Sequence, residues 1–134
     1  MNDPATVLGI FGSPRKGGNT DILLEEALKG AAEMGARVDA IRVCDLRVAP
    51  CHECLSCFKD GVCVIDDDMK AIYRRLMAAD CVILASPIFF YGITAGAKAL
   101  VDRCQALWAR KYVLRDPALQ TDRKRKGFFI SAGG

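Results

Sequence analysis

Residues 7–20, VLGIFGSPRKGGNT, join an almost continuous apolar run to a glycine-rich loop and then to the start of a helix, and that junction admits few folds. Val7, Leu8, Ile10 and Phe11 read as a central parallel strand covered on both faces. Polarity then changes abruptly. Gly12, Gly17 and Gly18 allow tight turning, Ser13, Asn19 and Thr20 carry short hydrogen-bonding side chains, and Arg15 and Lys16 add positive charge. Together they form an anion cradle, into which the following helix directs its free amides and the positive end of its dipole. The competing reading is an ordinary strand-to-helix turn, because glycine and serine are common in turns of every kind.

Two better-known phosphate loops do not fit. A P-loop starting at Gly12 and reaching its second glycine at Gly17 would continue with lysine and then serine or threonine, where this chain has Gly18 and Asn19. A dinucleotide fingerprint requires G-x-G-x-x-G, and Gly9 and Gly12 are wrongly spaced for it. What remains is a hydroxyl-rich loop suited to a terminal phosphate monoester such as that of FMN.

Downstream, the apolar residues Ile22, Leu23, Ala27, Leu28 and Ala31 have the spacing of one buried helical face within residues 21–34, and Gly35 follows as a stop. Residues 37–43 alternate imperfectly and read as a second strand nearer a sheet edge. The run of Asp66, Asp67 and Asp68 can cap a helix whose apolar positions are Met69, Ile72, Tyr73, Leu76 and Met77. Residues 81–85 form a further strand, 94–109 a helix, and 127–131 a fourth strand. Strands alternating with helices imply right-handed crossovers and a doubly wound parallel α/β sheet. With 134 residues, of which 51% are apolar and 26% charged, the chain is one soluble domain over residues 1–134. A net charge of +3 gives no footprint for nucleic acid, and the one basic run, Arg123 to Lys126, reads as a solvated turn. No basic leader followed by an apolar core and no membrane-length apolar run is present, so a cytoplasmic protein independent of membranes is expected.

Ligands of doubly wound sheets sit at the carboxyl ends of the strands, so three loops should converge: residues 13–20, 86–92 and 131–134. Pro87, Ile88, Phe89, Phe90, Tyr91 and Gly92 mix aromatic rings with glycine, as packing against a flat ring requires, although Phe89 and Phe90 could equally enter the core.

Seven cysteines in a reducing compartment point to metal or redox chemistry sooner than to disulfides. Cys51, Cys54, Cys57 and Cys63 form C-x2-C-x2-C-x5-C within a cysteine-rich insert at residues 50–63, between the second strand and the second helix. The compact first three positions suit three corners of a [4Fe–4S] cubane, and Cys63 supplies the fourth. Zinc is the alternative metal, since four thiolates also make a tetrahedral structural site, and spare or reversibly paired thiols are a third reading. His52 adjoins Cys51 too closely to share its metal and reads as a neighbour that tunes the potential. Cys44, Cys81 and Cys104 are expected on strands or helices as small hydrophobes.

The segments GSPRKGGNT, CHECLSCFKDGVCVIDDDM and SPIFFYGITAGAKALVDR, in this order, resemble the signature regions of the flavodoxin-like NADPH-dependent FMN reductases, and in particular their iron–sulfur flavoprotein branch. The resemblance spans nearly the whole chain. It implies FMN, with Ser13, Arg15, Asn19 and Thr20 at the phosphate, assisted by the loop positions Lys16 and Gly18. It places residues 87–92 beside the isoalloxazine and residues 131–134, including Ser131 and Gly133, near the flavin. It also implies NAD(P)H or a small redox protein as electron donor or acceptor.

Two functions from different classes follow. One is an FMN-dependent oxidoreductase, or simply an electron carrier, that takes a hydride or electrons at FMN and passes single electrons through the cluster; the cofactors carry the chemistry, so no side chain is assigned as a catalytic acid or base. The other is a non-catalytic, zinc-stabilised binding domain on the same fold. A flavodoxin-like sheet has five strands in order 2-1-3-4-5, whereas four are readable here in the order 2-1-3-4. The fifth strand and its helices, roughly 40 residues at ordinary element lengths, are expected either in a longer protein or to be replaced by a neighbouring subunit on the edge beside Phe128, Phe129 and Ile130. Trp108 and Tyr112 add an apolar surface, and a homo-oligomer is expected.

Overall fold

The computed structural model describes residues 3–133. Four parallel strands, β1 (Thr6–Phe11), β2 (Arg37–Arg42), β3 (Cys81–Ala85) and β4 (Lys126–Ile130), lie in the order β2-β1-β3-β4. The central strand is apolar throughout because it faces two layers. Leu8 and Ile10 point into a core with Ile41, Val43, Met69, Ile72 and Leu100, whereas Val7 and Phe11 point into one with Leu24, Leu28 and Ile83. This is the period-2 alternation of a strand buried on both sides.

Helix α1 (Asn19–Glu33) covers the second of these faces, while α3 (Met69–Ala78) and α4 (Ala95–Arg103) cover the first. Helix α3 begins where the aspartates predict, but they divide the work. Asp67 accepts the Met69 amide at 3.1 Å, Asp68 accepts the Arg47 amide at 2.7 Å, and Asp66 pairs with Lys70.

The helix expected over 94–109 is divided. At Cys104 the amide bonds to Val101 three residues back, which tightens the backbone and separates α4 from the one-turn α5 (Gln105–Trp108). The helical path then widens into a π turn, Ala109–Val113, closed by the Leu114 amide on the Ala109 carbonyl at 2.9 Å. The second strand ends one residue early. A 3₁₀ turn, Val43–Asp45, follows it and turns Cys44 out to solvent, so Cys44 is not the buried small hydrophobe expected from the sequence. Cys81 and Cys104 are half-buried and match that expectation more closely; burial pushes the Cys104 thiol up to about 11 and keeps it protonated.

Strand β4 is the bare edge foreseen, with Phe128 and Phe129 both more than half exposed. Trp108 and Tyr112 are not a free apolar face alone. Trp108 packs on Phe58 of the cysteine segment with ring centroids 6.0 Å apart and on Tyr112 at 5.5 Å. No helix among the described residues is long and apolar enough to cross a membrane.

Candidate functional site

At the carboxyl end of β1 the chain can turn because residue 12 is glycine. A Cβ there would stand 2.7 Å from the Ala85 carbonyl and 3.1 Å from the Ala97 side chain. That close approach lets the Gly12 amide reach Ala85 O at 2.7 Å and the Thr94 hydroxyl donate to Gly12 O at 2.5 Å. Thr94 also caps α4 by accepting the Ala97 amide, and its own amide donates to the Ser86 hydroxyl at 3.0 Å. Ser86 N in turn reaches Ile130 O at 3.0 Å, and the Ser131 hydroxyl donates to Ser86 O at 2.9 Å. One hydrogen-bonded network therefore draws the ends of β1, β3 and β4 together. Thr94 and Ser86 organise it, and the sequence alone gave them no such role because each is an unremarkable hydroxyl outside its loop context.

Within the first loop, Ser13 is buried and accepts the Arg15 amide at 3.1 Å, a local turn that stiffens the loop. Arg15 and Asn19 are exposed, and Lys16 reaches Asp45 at 3.0 Å. Gly18 is the N-cap of α1 and no side chain caps it, in contrast to Thr94 on α4, so the first-turn amides of α1 face the loop without a side-chain acceptor. Thr20 is buried beside them. Asp21, which sequence reasoning passed over, holds this loop. Only 1% exposed, it accepts the Gly17 amide at 2.9 Å and Arg42 at 2.8 Å. Arg42 also lies over the Phe11 ring, 4.5 Å from its centroid. An acidic residue at helix position three followed by an arginine ending the next strand is the only signal of it.

The second loop departs from the core alternative. Phe89 is half exposed, and Phe90 and Tyr91 are 96% and 95% exposed. They occupy the two central positions of a tight turn closed by reciprocal Phe89–Gly92 bonds of 2.8 and 3.0 Å. Both have positive φ, 39° and 69°, a region that costs a non-glycine residue of the order of 1–2 kcal/mol. Aromatic residues held out in strained backbone are typical of contact sites. Pro87 is half-buried and Ile88 exposed; a Cβ on Gly133 would meet Ile88 at 2.7 Å, so the second and third loops touch. Gly134 lies outside the described residues. A pocket of about 270 Å³ opens between Gly12, Pro14, Cys44, Phe89 and Gly96.

The cysteine segment forms a second centre. Cys51, Cys54, Cys57 and Cys63 line one cavity of about 400 Å³ together with His52, Ile65, Arg103 and Ala106. Cys57 opens the one-turn helix α2 (Cys57–Asp60), which Gly61 ends at φ 76° where a Cβ would strike the Arg110 side chain at 2.2 Å. Burial, and then the charge of Cys63, Cys51 and Cys54, push the Cys57 thiol up, whereas hydrogen bonding from Ser56 lowers that of exposed Cys54. The thiols share the cavity without converging: among the described residues no three cysteine, histidine or carboxylate groups stand at ligating separation. Donor chemistry fits a thiolate-bound centre, and the wall behind it is a buried ion pair. Asp67 bridges Arg103 through two bonds of 2.7 and 3.0 Å and accepts the Ala49 amide at 2.8 Å, two residues before Cys51.

Arg103 beside it holds the Asp67 carboxyl down to about 2. Its folded value lies below the ordinary one of 3.8, so its contribution is complete above about pH 4 and is lost as pH falls through 2. The shift corresponds to about 2 kcal/mol. Chemical denaturation at pH 6 and pH 2.5 should show Asp67→Asn losing less stability than the wild type over that interval; equal losses would remove Asp67 from the acid limb.

The family profile of the NADPH-dependent FMN reductases matches residues 5–133. The chain is 38% identical over 128 residues to an iron–sulfur flavoprotein of Methanosarcina thermophila, covering 96% of this chain and 63% of that protein. It is 43% identical over 101 residues to an iron–sulfur flavoprotein of Methanocaldococcus jannaschii, covering 75% and 52%. A solved flavone reductase superposes with a TM-score of 0.68 at 27% identity, covering 96% of this chain and 43% of the other. The chain thus spans between half and two-thirds of the length of these curated relatives. It belongs to the NADPH-dependent FMN reductase family.

Proposed function

We propose that this chain is an FMN-dependent oxidoreductase or electron carrier that couples FMN to a [4Fe–4S] cluster on Cys51, Cys54, Cys57 and Cys63. The observation that carries the flavin site is the uncapped N-terminus of α1 facing a loop tied through Gly12 and Thr94 to the second loop, to which Ser131 of the third is bonded in turn. Amides of Asn19 and Thr20, the Thr20 hydroxyl and the Arg15 and Lys16 side chains would hold the phosphate, with Gly18 leaving the approach open. Residues 87–92 would flank the isoalloxazine, and Ser131 and Gly133 would border it from the third loop. Bound there, FMN would supply the conversion between a two-electron hydride donor and a one-electron cluster. The chain's own part is to bind, orient and shield the ring, so no side chain is assigned a proton. A nicotinamide or a small redox protein would supply or remove the electrons.

Anaerobic purification with determination of flavin, iron, sulfide and zinc tests the proposal. Stoichiometric zinc without cluster absorbance, and no bound flavin, would leave the zinc-stabilised binding domain. Apoprotein should take FMN in preference to FAD, since the loop suits a terminal phosphate; tighter FAD binding would sink that part. Thr20→Val should weaken FMN by ten- to over a hundredfold, as losing one hydrogen bond to a charged phosphate costs about 1.5–3 kcal/mol. An unchanged Kd in a fluorescence titration would remove Thr20 from the phosphate site.

A further inference from the structure

Among the described residues Arg103 is the largest fully buried side chain, at 2% exposure. Burying a guanidinium is expensive unless every donor finds an acceptor. Two of its nitrogens do: one bonds to Ala49 O at 2.9 Å and Asp67 at 2.7 Å, the other to Asp67 at 3.0 Å. The Nε–H has no acceptor among the described residues. Asp67, by contrast, is saturated, because it also accepts the amides of Ala49 and Met69. Its negative charge is therefore shared with backbone donors, which leaves the guanidinium under-compensated. The same Arg103 lines the cavity of Cys51, Cys54, Cys57 and Cys63.

We infer that Arg103 is a positioning residue for the iron–sulfur centre. Its buried positive charge and its free Nε–H stabilise the more anionic, reduced form of a cluster held by these four cysteines. The inference rests on the proposed cluster. Its physical basis is general: hydrogen bonds to sulfur and nearby cations raise a cluster's reduction potential. An arginine that served only to tie Ala49 to Asp67 would need no buried donor left over.

The test begins with wild-type chain reconstituted anaerobically with ferrous iron and sulfide. Absence of a cluster at this stage overturns the cluster reading and the inference with it. The variant Arg103→Gln/Asp67→Asn removes both charges while keeping amide groups to hold Ala49. At unchanged iron and sulfide content, its one-electron reduction equilibrium should be at least tenfold less favourable, about 59 mV lower in an EPR-monitored redox titration. A full cluster whose reduction equilibrium shifts by less than tenfold from wild type overturns the role of Arg103 alone. Because this variant could fail to assemble, a second reading uses the wild type only. Reduced protein labelled with ¹⁵N-arginine should show a nitrogen hyperfine coupling in pulsed EPR, and ¹⁵N-lysine labelling should show none. No coupling from labelled arginine overturns the inference whatever the variant does.

Discussion

Replacing Cys57 with alanine should abolish the iron–sulfur centre and leave FMN affinity within about twofold of the wild type. Cys57 lines the same cavity as Cys51, Cys54 and Cys63 and opens α2. Removing it takes away the last ligand of the compact triplet, and the three thiolates left do not complete the four corners of a cubane. The segment itself should survive. Phe58 remains stacked on Trp108, and the close approach of Gly61 to Arg110 does not involve the thiol. The loops proposed to hold the flavin are tied to one another through Gly12, Thr94, Ser86 and Ser131, none of which lines the cysteine cavity. Distant sites without shared partners usually add to within about 0.5 kcal/mol, hence the twofold bound. Iron and sulfide determination, visible absorbance and FMN fluorescence titration on one preparation settle both parts. Full iron content in Cys57→Ala would contradict the ligand assignment, and a large loss of FMN binding would contradict the separation of the centres.

The strands and long helices were legible because their causes are local. A run such as Val7 to Phe11 has one physical explanation, burial on two faces, and the structure places its alternate residues in two cores. The convergence of three loops followed from parallel topology and is found. What the sequence concealed depends on contacts far apart along the chain. The break at Cys104 and the π turn after Trp108 leave the apolar spacing intact, so periodicity cannot reveal them. Phe89 and Phe90 could not be sorted between core and surface, because only the turn closed by Phe89 and Gly92 directs them outward. Asp21 and Arg103 were missed for the same reason: a charged residue on a helix reads as a solvated one until its partner, 21 or 36 positions away, is known.

Arg42→Met should be among the most damaging single changes in the protein, lowering stability by about 3 kcal/mol and FMN affinity more than tenfold. The change leaves the Asp21 carboxylate, 1% exposed, without its cation. Breaking one side of a buried pair costs about 3–5 kcal/mol. The lower end applies because Arg42 is itself partly exposed and the N-terminal dipole of α1 still favours a charge at Asp21. Flavin binding suffers separately. Asp21 holds the Gly17 amide and Arg42 approaches Ser13 O at 3.5 Å, so the pair fixes both sides of the proposed phosphate loop. An uncompensated carboxylate would also sit next to the incoming dianion. For a chain of this size about 3 kcal/mol lowers Tm by roughly 10 °C. Asp21→Asn/Arg42→Met should recover more than half of the loss, since the neutral amide can still accept from Gly17 and no charge is stranded. A Tm for Arg42→Met within about 2 °C of wild type, or a double variant no better than the single, would show that the Asp21 carboxylate is not held in the fold by Arg42.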